Sequence, residues 1–508
     1  MLPAALCSQE TVQYLYERQV NVWARTSDTP TTVEQYDAIL SGAIGVVSDA
    51  TDAYLDIACN KLPAGTMTRT PINIAHRGLP RFAPENTVEG AIEAYNRGAQ
   101  AIELDFYLSS DGHAVAMHNA FTGATCDRDV AVESTPLARL KQLYVNKGYE
   151  NHETFSQCRI PTIEEFFEYF KDKDCRFYIE IKSKNPAIVP VIRDAIEQYG
   201  MYGQCTVITF DADMMQAFRD QYPDMALGAL CGDFMGGTDP EADLRAAMAY
   251  AGPYNATLHP SYSINGTVYY KEDDVRAANF RGVSINPWTF GTSIATYSDY
   301  FLWGYTGLTG DGASSLGRLP LRVAYTPAST EVAVGDSLPL TLEVDTYARK
   351  TSTKDATVTI VEGEECATLT DNVLTFTAEG EVTVLLSYSI AGAGSYVLFE
   401  RPMTFTANPE PDFNPGPETV PDTEPETGAP VEDGTTDSGE STPESTPDDR
   451  ETSKVDGTED ADDKDDLDED DMDTDDSGCG STVALIPTLL LLTAAVGALL
   501  LIRRRDEA

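Results

Sequence analysis

The sequence predicts an α/β protein: a (β/α)8 TIM barrel followed by an all-β immunoglobulin-like sandwich, a disordered acidic linker and one transmembrane helix. Three observations support this prediction. Short apolar strands alternate with amphipathic helices over residues 66–318, as in a parallel sheet with crossover helices. Strand-length apolar segments separated by turn residues fill residues 319–408. An uncharged apolar segment of membrane-spanning length follows an acidic stretch near the end.

The barrel is predicted from eight strand–helix units in about 250 residues, which is the usual size of this architecture. Helices are expected between the strands, for example over residues 87–97 and 162–170. In such a barrel the active site lies at the carboxyl ends of the strands. The predicted strands centre on Ile74, Ile102, Ile179, Val207, Leu227, Thr257, Ile285 and Tyr305.

Histidines, an arginine and carboxylates follow the first two strands within fifty residues. His76 and Arg77 come at the end of the first strand. Glu103 and Asp105 are two residues apart in the second strand, so their side chains lie on the same side of it. A Ser-Asp-Gly turn then returns the chain and brings His118 beside the carboxylate pair. This arrangement indicates a metal site with acid–base groups next to it.

These residues belong to an ordered set of motifs that extends along the barrel. The set resembles the glycerophosphodiester phosphodiesterase family over residues 70–315. Its members are His76-Arg77-Gly78, Pro84-Glu85-Asn86-Thr87, Glu103-x-Asp105, His118, Ile160-Pro-Thr-Ile-Glu-Glu165, Tyr178-Ile-Glu180-Ile-Lys182, Thr209-Phe210-Asp211 and Pro287-Trp288-Thr289.

The resemblance implies a metal-dependent enzyme that hydrolyses glycerophosphodiesters to glycerol 3-phosphate and an alcohol. In the family, the neighbouring glycerol hydroxyl attacks phosphorus, a cyclic phosphate forms, and water opens it. The implied ligands of one divalent cation are Glu103, Asp105 and Glu180, with Glu85 near the site. An all-oxygen ligand set suits Mg²⁺ or Ca²⁺, whereas zinc more often recruits histidine or cysteine.

The acid–base pair implied by the resemblance is His76 and His118, because histidine titrates near neutral pH. Which of the two is the acid and which the base stays open. Arg77 and Lys182 are expected to bind the phosphate oxygens, although Lys182 could instead form a structural ion pair with Glu180. Trp288 is expected to form an aromatic wall of the substrate cleft, with core packing as the alternative.

Three positions depart from the family pattern. Asn119 stands where an aspartate commonly follows the second histidine, which could change the orientation of that histidine. Asn286-Pro287 precedes Trp288, and the terminal Thr-Asp of the family is split here as Thr309-Gly310-Asp311; both differences are expected to affect the shape of the substrate site. The remaining histidines match no motif and are expected to be surface or core residues. They are His113, His152 and His259.

Two other functions are weighed against the phosphodiesterase. A phospholipase D-like enzyme of the same fold, acting on intact lipid, would need an apolar loop that enters the bilayer, and residues 119–160 offer none that is convincing. A non-catalytic surface binding protein would have no reason to keep both motif histidines and the carboxylate pair. The formal net charge of −47 makes nucleic acid an improbable partner, because an acidic chain repels phosphate backbones.

Residues 1–60 resemble a second copy of the end of the barrel. A helix, a strand and Trp23 occur in the order seen again from Glu272 to Trp288, and Ala43-Ile-Gly-Val-Val-Ser-Asp49 parallels Gly304 to Asp311. We interpret this segment as the C-terminal remnant of a preceding barrel, with an unrelated α/β extension as the alternative. Because a partial barrel leaves open sheet edges, the segment is expected to be poorly ordered or to dock on its neighbour.

The C-terminal part is expected to attach the protein to a membrane. Residues 409–480 form a solvated linker, with 28 acidic and three basic residues between Glu410 and Asp476, and calcium binding there is the weaker alternative. Residues 481–502 are expected to be a single transmembrane helix and 503–508 a cytoplasmic tail, because three arginines follow the helix directly. The catalytic domain would then be extracellular. The sandwich is expected to act as a spacer, with carbohydrate or protein binding less favoured.

The nine cysteines show no zinc-binding spacing. Most are expected to be buried free thiols. A disulfide such as Cys126–Cys158 is an alternative in an exported protein, but sequence alone cannot assign pairs.

Overall fold

The computed structural model describes residues 1–232, 239–264, 267–268, 271–391 and 395–409. The expected acidic linker, transmembrane helix and cytoplasmic tail lie outside these residues, apart from the first residue of the linker. Within the described ranges, none of the helices combines the length and the apolarity that a membrane span requires.

The N-terminal segment, residues 1–62, is a small α/β unit with a three-stranded parallel sheet in the order β1-β2-β3. The side chain of Ser8 caps α1, and a reciprocal Thr31–Glu34 capping box starts α2. Its elements are β1 (Leu2–Pro3), α1 (Gln9–Tyr16), β2 (Trp23–Arg25), α2 (Thr32–Leu40), β3 (Gly45–Val47) and α3 (Thr51–Asp56).

The barrel follows and is the part of the fold that positions the site. Its first half consists of β4 (Ile72–Ala75), α4 (Val88–Asn96), β5 (Ala101–Leu108), β6 (Ala114–Ala116), α5 (Leu137–Leu140), α6 (Ile163–Phe170), β7 (Arg176–Ile181) and α7 (Ile188–Tyr199). Its second half consists of β8 (Cys205–Thr209), α8 (Ala212–Gln221), β9 (Leu227–Cys231), α9 (Pro240–Ala251), β10 (Thr257–Pro260), β11 (Ser263–Ile264), β12 (Thr267–Val268), α10 (Glu272–Asn279), α11 (Ile294–Trp303) and β13 (Gly307–Gly310).

Seven of the predicted barrel strands pair in parallel, in the order β10-β9-β8-β7-β5-β4-β13. The ring is closed by residues 285–290, which form only isolated bridges: Leu258 with Ile285, Ser261 with Trp288, and Phe290 with Gly310. The strand predicted around Ile285 is therefore irregular, because Pro287 within it has no N–H to donate. The barrel prediction is confirmed, and β6 pairs antiparallel with β5 as the hairpin after the second strand.

Helix boundaries agree closely with the sequence pattern. The Thr87 hydroxyl accepts a hydrogen bond from the Gly90 amide at the start of α4. Thr162 and Glu165 form a capping box at the start of α6. One face of α6 buries Ile163, Phe166, Phe167 and Phe170, whose spacing matches the helical period.

Residues 319–391 and 395–408 form an all-β domain. The strands are β14 (Pro320–Ala324), β15 (Glu331–Ala333), β16 (Ser337–Pro339), β17 (Thr341–Thr346), β18 (Thr351–Asp355), β19 (Thr357–Glu362), β20 (Ala367–Thr370), β21 (Val373–Phe376), β22 (Gly380–Ile390), β23 (Tyr396–Phe399) and β24 (Met403–Asn408). They form sheets in the orders β14-β17-β18, β15-β24-β22-β19 with β23 on β22, and β16-β21-β20. The immunoglobulin-like assignment of this domain stays a prediction.

The all-β domain contacts the amino end of the barrel. The Arg349 guanidinium donates hydrogen bonds to the carbonyls of Tyr95, Ala99 and Asp174, at 2.8, 3.0 and 3.0 Å. The last two carbonyls lie just before β5 and β7, and Tyr95 lies in the last turn of α4. This arrangement holds the domain against the end of the barrel opposite the carboxyl ends of its strands.

The N-terminal segment docks on the same end of the barrel. The Tyr16 hydroxyl donates to the Thr306 carbonyl at 2.8 Å, and Glu17 forms a buried ion pair with Arg176, the first residue of β7. The segment also contacts the all-β domain through an ion pair between Asp37 and Arg401. The segment is thus joined to both of its neighbours, whereas its origin as a barrel remnant stays a prediction.

The eight cysteines in the described residues are all free thiols, and all but Cys59 are buried. Burial raises the pKa of Cys126 to about 11 and that of Cys158 to about 12. The structure therefore agrees with buried thiols at these positions and not with a disulfide between them.

Candidate active site

Three buried carboxylates meet at the carboxyl end of the barrel. β5 carries Glu103 and Asp105 on one face, and the parallel register of β5 with β7 puts Asp105 opposite Glu180. Each of the three offers an oxygen atom, and these oxygens all lie within 4.8 Å of one another. The sequence prediction that these three side chains converge is therefore consistent with the geometry of the structure.

The electrostatics of this triad suit a cation. The pKa of Glu103 is raised well above its usual value, chiefly by burial and then by the negative charges of Asp105 and Glu180. Burial, followed by Asp105, raises the pKa of Glu180 to about 7. Among the described residues, Oε1 of Glu103 has no hydrogen-bond partner although it is buried. A divalent cation would offset the repulsion between the three carboxylates and give Oε1 of Glu103 a partner, so the triad could hold an ion.

Asp105 differs from its two neighbours because it has several partners. Burial raises its pKa, but Lys182, His118 and Arg77 outweigh burial and lower the pKa overall. The Asn86 amide also donates to its carboxylate at 2.9 Å. Asp105 is therefore the triad member that stays ionised most readily.

Two cations border the carboxylates. The guanidinium of Arg77 lies 3.3 Å from Glu85 and 3.5 Å from Asp105. The ammonium of Lys182 lies 2.7 Å from Glu180 and 3.4 Å from Asp105. The predicted ion pair of Lys182 is thus present, and Glu85 contacts the site through Arg77.

The turn after β4 is strained and is held by the triad. Arg77 and Leu79 have φ angles of 48° and 61°, in the left-handed region that residues other than glycine rarely adopt. The backbone N–H of Arg77 donates to Glu103 at 3.0 Å, and that of Asn86 donates to the Arg77 carbonyl at 2.9 Å. These bonds fix the orientation in which β4 presents His76 and Arg77.

The two motif histidines have different partners. Nδ1 of His76 lies 2.7 Å from the carboxylate of Asp311. Nδ1 of His118 lies 2.8 Å from the side-chain oxygen of Asn119. Burial lowers the pKa of His118, and Arg77 and Lys182 lower it further against the opposing effect of Asp105. Asn119 thus contacts the histidine whose orientation it was expected to influence.

A cavity of about 260 Å³ joins these groups to the interior of the barrel. Trp288 lines it and packs edge-on against Phe210, with ring centroids 5.5 Å apart. The indole N–H of Trp288 donates to the carbonyl of His259 at 2.7 Å. The other polar residues that line the cavity are His76, Arg77, Glu103, His118, Glu180, Lys182, Thr289 and Thr309.

Sequence reasoning missed three residues of the site. The position of Asp311 was expected to affect the shape of the substrate site, and its contact with His76, 235 positions earlier in the chain, was not predicted. His259 was expected to be a surface or core residue; it is buried, and it also lines the cavity, which was not predicted. Asn86 is part of a motif, but its hydrogen bonds to Asp105 could not be read from spacing. The other two histidines without a motif, His113 and His152, do not line the cavity.

Known proteins give independent information about this region. A model of the glycerophosphoryl diester phosphodiesterase family matches residues 76–313. A glycerophosphodiester phosphodiesterase of Caldanaerobacter subterraneus is 31% identical over 221 residues, which cover 42% of this chain and 84% of that protein. One of Bacillus subtilis is 23% identical over 256 residues, covering 47% of this chain and 82% of that protein.

Solved structures of such proteins also align with the chain. A phosphodiesterase of Oleispira antarctica, determined in complex with the product sn-glycerol-3-phosphate, aligns with a TM-score of 0.42 and 22% identity, and covers 48% of this chain and 95% of that one. From the family model and the sequence relatives, the chain belongs to the glycerophosphoryl diester phosphodiesterase family and is an enzyme of that class.

Proposed function

We propose that this enzyme hydrolyses glycerophosphodiesters to glycerol 3-phosphate and an alcohol, with His76 and His118 as the acid–base pair and one divalent cation on the carboxylate triad. The supporting observation is that both histidines, Glu103 and Glu180 of the triad, and the cations Arg77 and Lys182 line one cavity at the carboxyl end of the barrel. The cation is Mg²⁺ or Ca²⁺, because all the candidate ligands are oxygens.

Each charged group has a distinct task in this scheme. Glu103, Asp105 and Glu180 hold the cation, which when bound neutralises charge on the phosphate oxygens. Arg77 and Lys182 bind the remaining phosphate oxygens, where negative charge grows during attack on phosphorus. Glu85 keeps the guanidinium of Arg77 in place, and Trp288 forms a wall of the substrate cleft.

The partners of the two histidines suggest their roles. The Asp311 carboxylate can stabilise a positive charge on His76 through a charge-assisted hydrogen bond, so His76 donates the proton to the leaving alcohol. His118 has only the neutral Asn119 at Nδ1, and its lowered pKa keeps the imidazole neutral near pH 7. His118 therefore accepts the proton of the attacking glycerol hydroxyl. The roles reverse when water opens the cyclic phosphate.

The full chain should be tested with glycerophosphocholine, glycerophosphoethanolamine and a lysophospholipid, each with and without chelator. We expect chelator-sensitive release of glycerol phosphate from the first two substrates. His76→Ala and His118→Ala should each lower kcat at least about 100-fold, the usual scale of acid–base catalysis. His113→Ala is the matched control, since this exposed hairpin residue should leave the rate unchanged.

Specific results would contradict the proposal. Turnover that persists in both histidine variants would exclude them as the acid–base pair. Absence of turnover with all diesters at millimolar Mg²⁺ or Ca²⁺ would favour a binding protein. Faster cleavage of the lysophospholipid than of the glycerophosphodiesters would favour a phospholipase D-like enzyme.

The proposed location rests on the sequence alone. Residues 481–502 anchor the chain in the cell membrane, with the arginines of residues 503–505 in the cytoplasm and the catalytic domain outside. Substrates there would be deacylated phospholipids or polyglycerol-phosphate polymers. Protease treatment of intact cells should remove the catalytic domain and leave a short membrane-bound fragment, whereas protection of the domain would exclude this orientation.

A further inference from the structure

Besides the polar groups described above, the active-site cavity is lined by apolar and aromatic side chains. These are Ile208, Leu230, Phe210 and Trp288. His259 also lines the cavity, although only 1% of its surface is exposed to solvent. A histidine at this position is unusual, because the interior of such a barrel is dominated by branched apolar side chains.

Neighbouring strands leave room for this histidine. A Cβ atom at Gly228 would lie 2.4 Å from Nε2 of His259, so a larger residue there would collide with the imidazole. A Cβ atom at Gly307 would lie 2.6 Å from the side-chain oxygen of Asn286, the residue next to the imidazole. Two of the eight barrel strands therefore lack a side chain where the polar pair needs the space.

Hydrogen bonds hold the imidazole through one of its nitrogens. Nε2 lies 2.9 Å from the Thr257 hydroxyl and 3.4 Å from the Asn286 amide nitrogen. That amide in turn donates to Gln19 of the N-terminal segment at 2.9 Å. Within the described residues both hydrogen bonds of the His259 ring are made at Nε2, which leaves Nδ1 for a ligand. Burial lowers the pKa of His259 to about 3, so the ring is neutral near pH 7.

We propose that His259 is a substrate-binding residue that hydrogen-bonds the distal hydroxyl of the glycerol moiety, the hydroxyl that neither carries phosphate nor attacks it. This inference rests on the proposed function. A hydroxyl both donates and accepts, so it suits either tautomer of the ring. The apolar walls contact the carbon backbone of the glycerol, and a cavity of about 260 Å³ fits a small polyol better than an acyl chain.

The test compares two substrates that differ by this hydroxyl. One is glycerophosphocholine, and the other is its propane-1,2-diol analogue, which keeps the attacking hydroxyl and lacks the distal one. We expect the wild-type enzyme to prefer glycerophosphocholine in kcat/KM by about 10- to 100-fold, the cost of leaving a buried polar group unpaired. His259→Leu should reduce this preference to about twofold or less, mainly by slowing the glycerol substrate.

Two further variants complete the design. His152→Leu, at a surface histidine stacked on Phe155, is the matched control and should keep the wild-type preference. His259→Gln retains a hydrogen-bonding group and should keep a preference of several-fold, and it also replaces the leucine variant if that variant does not fold.

The outcomes separate the inference from the function on which it rests. Three results would overturn the role of His259 and leave the phosphodiesterase activity standing. They are an equal loss of rate on both substrates in His259→Leu, an unchanged substrate preference in that variant, and no preference in the folded His259→Gln variant. Failure of the wild-type enzyme to cleave either substrate would instead reject the proposed function, and the inference with it.

Discussion

Divalent cations should stabilise this protein against heat more strongly at neutral than at acidic pH. A cation binds the ionised form of Glu180, whose pKa burial and Asp105 raise to about 7. The pKa of Glu103 is raised in the same direction. Protons must therefore leave the triad when the cation binds, and the apparent affinity should fall as the pH is lowered.

The size of the effect follows from the titration of Glu180. A group with a pKa of about 7 is about half ionised at pH 7 and about 1% ionised at pH 5, which weakens the apparent affinity about 50-fold. At a fixed saturating concentration this removes about 2 kcal/mol of the stabilisation that the cation supplies. For a protein of this size the metal-induced rise in Tm should shrink by about 2 °C.

Without the cation, the ionisation of Glu180 lowers the stability of the fold as the pH rises, which is opposite to its effect when the cation is bound. Its folded-state pKa lies above the ordinary 4.5, so its contribution to stability is complete below pH 4.5 and is lost as the pH rises through about 7. Histidines with lowered pKa values, such as His259, oppose this trend at acidic pH. Subtracting the Tm without cation from the Tm with cation at each pH removes the contribution of such groups.

The measurement is a thermal melt at pH 5, 6, 7 and 8 with millimolar Mg²⁺ or Ca²⁺ and with chelator. Glu180→Gln should show a smaller metal-induced shift that varies less with pH. Glu168→Gln, at an exposed helix position, is the matched control and should behave as wild type. A metal-induced shift that is constant from pH 5 to pH 8, or equal in the Glu180 variant, would refute the proposed coordination.

Three more substitutions test other contacts. Asp311→Asn should lower kcat about 10- to 100-fold with little change in KM, because it weakens the charge-assisted hydrogen bond to His76. An unchanged kcat in steady-state kinetics would show that this bond is unimportant. Glu17→Ala should destabilise the fold by about 3 kcal/mol in urea unfolding, since Arg176 stays buried and keeps only the exposed carboxylate of Asp174 as its ion-pair partner, whereas Asp56→Ala, in an exposed pair, should leave the stability nearly unchanged. Arg349→Ala should cost about 1–2 kcal/mol by thermal melting, because three backbone carbonyls each lose the hydrogen bond that Arg349 donates, and a cost under about 0.5 kcal/mol would contradict this.

Local rules were enough to predict most of the barrel and the grouping of the triad. The two-residue spacing of Glu103 and Asp105 fixes a shared face in any extended strand, and parallel pairing then brings Glu180 beside them. The Thr87 hydroxyl satisfies a free N–H group at the start of α4, and the Glu165 carboxylate accepts a hydrogen bond from the Thr162 N–H at the start of α6.

What the sequence did not reveal depends on contacts between distant segments. The partnership of His76 with Asp311 arises only when the first and last strands of the barrel pair. His259 carries no local motif, and the space for it comes from Gly228, 31 residues earlier. The segment around Pro287 shows a third limit, since the strand predicted there forms only isolated bridges because Pro287 has no N–H to donate.

The attachment of the all-β domain to the amino end of the barrel has a practical consequence. Arg349 fixes that domain behind the catalytic cavity, so material coupled to the far side of the domain would not block the approach of substrate. Immobilising the enzyme on a resin through this domain should preserve turnover, while coupling through Lys184, which lines a pocket that shares His118 and Lys182 with the cavity, should obstruct it.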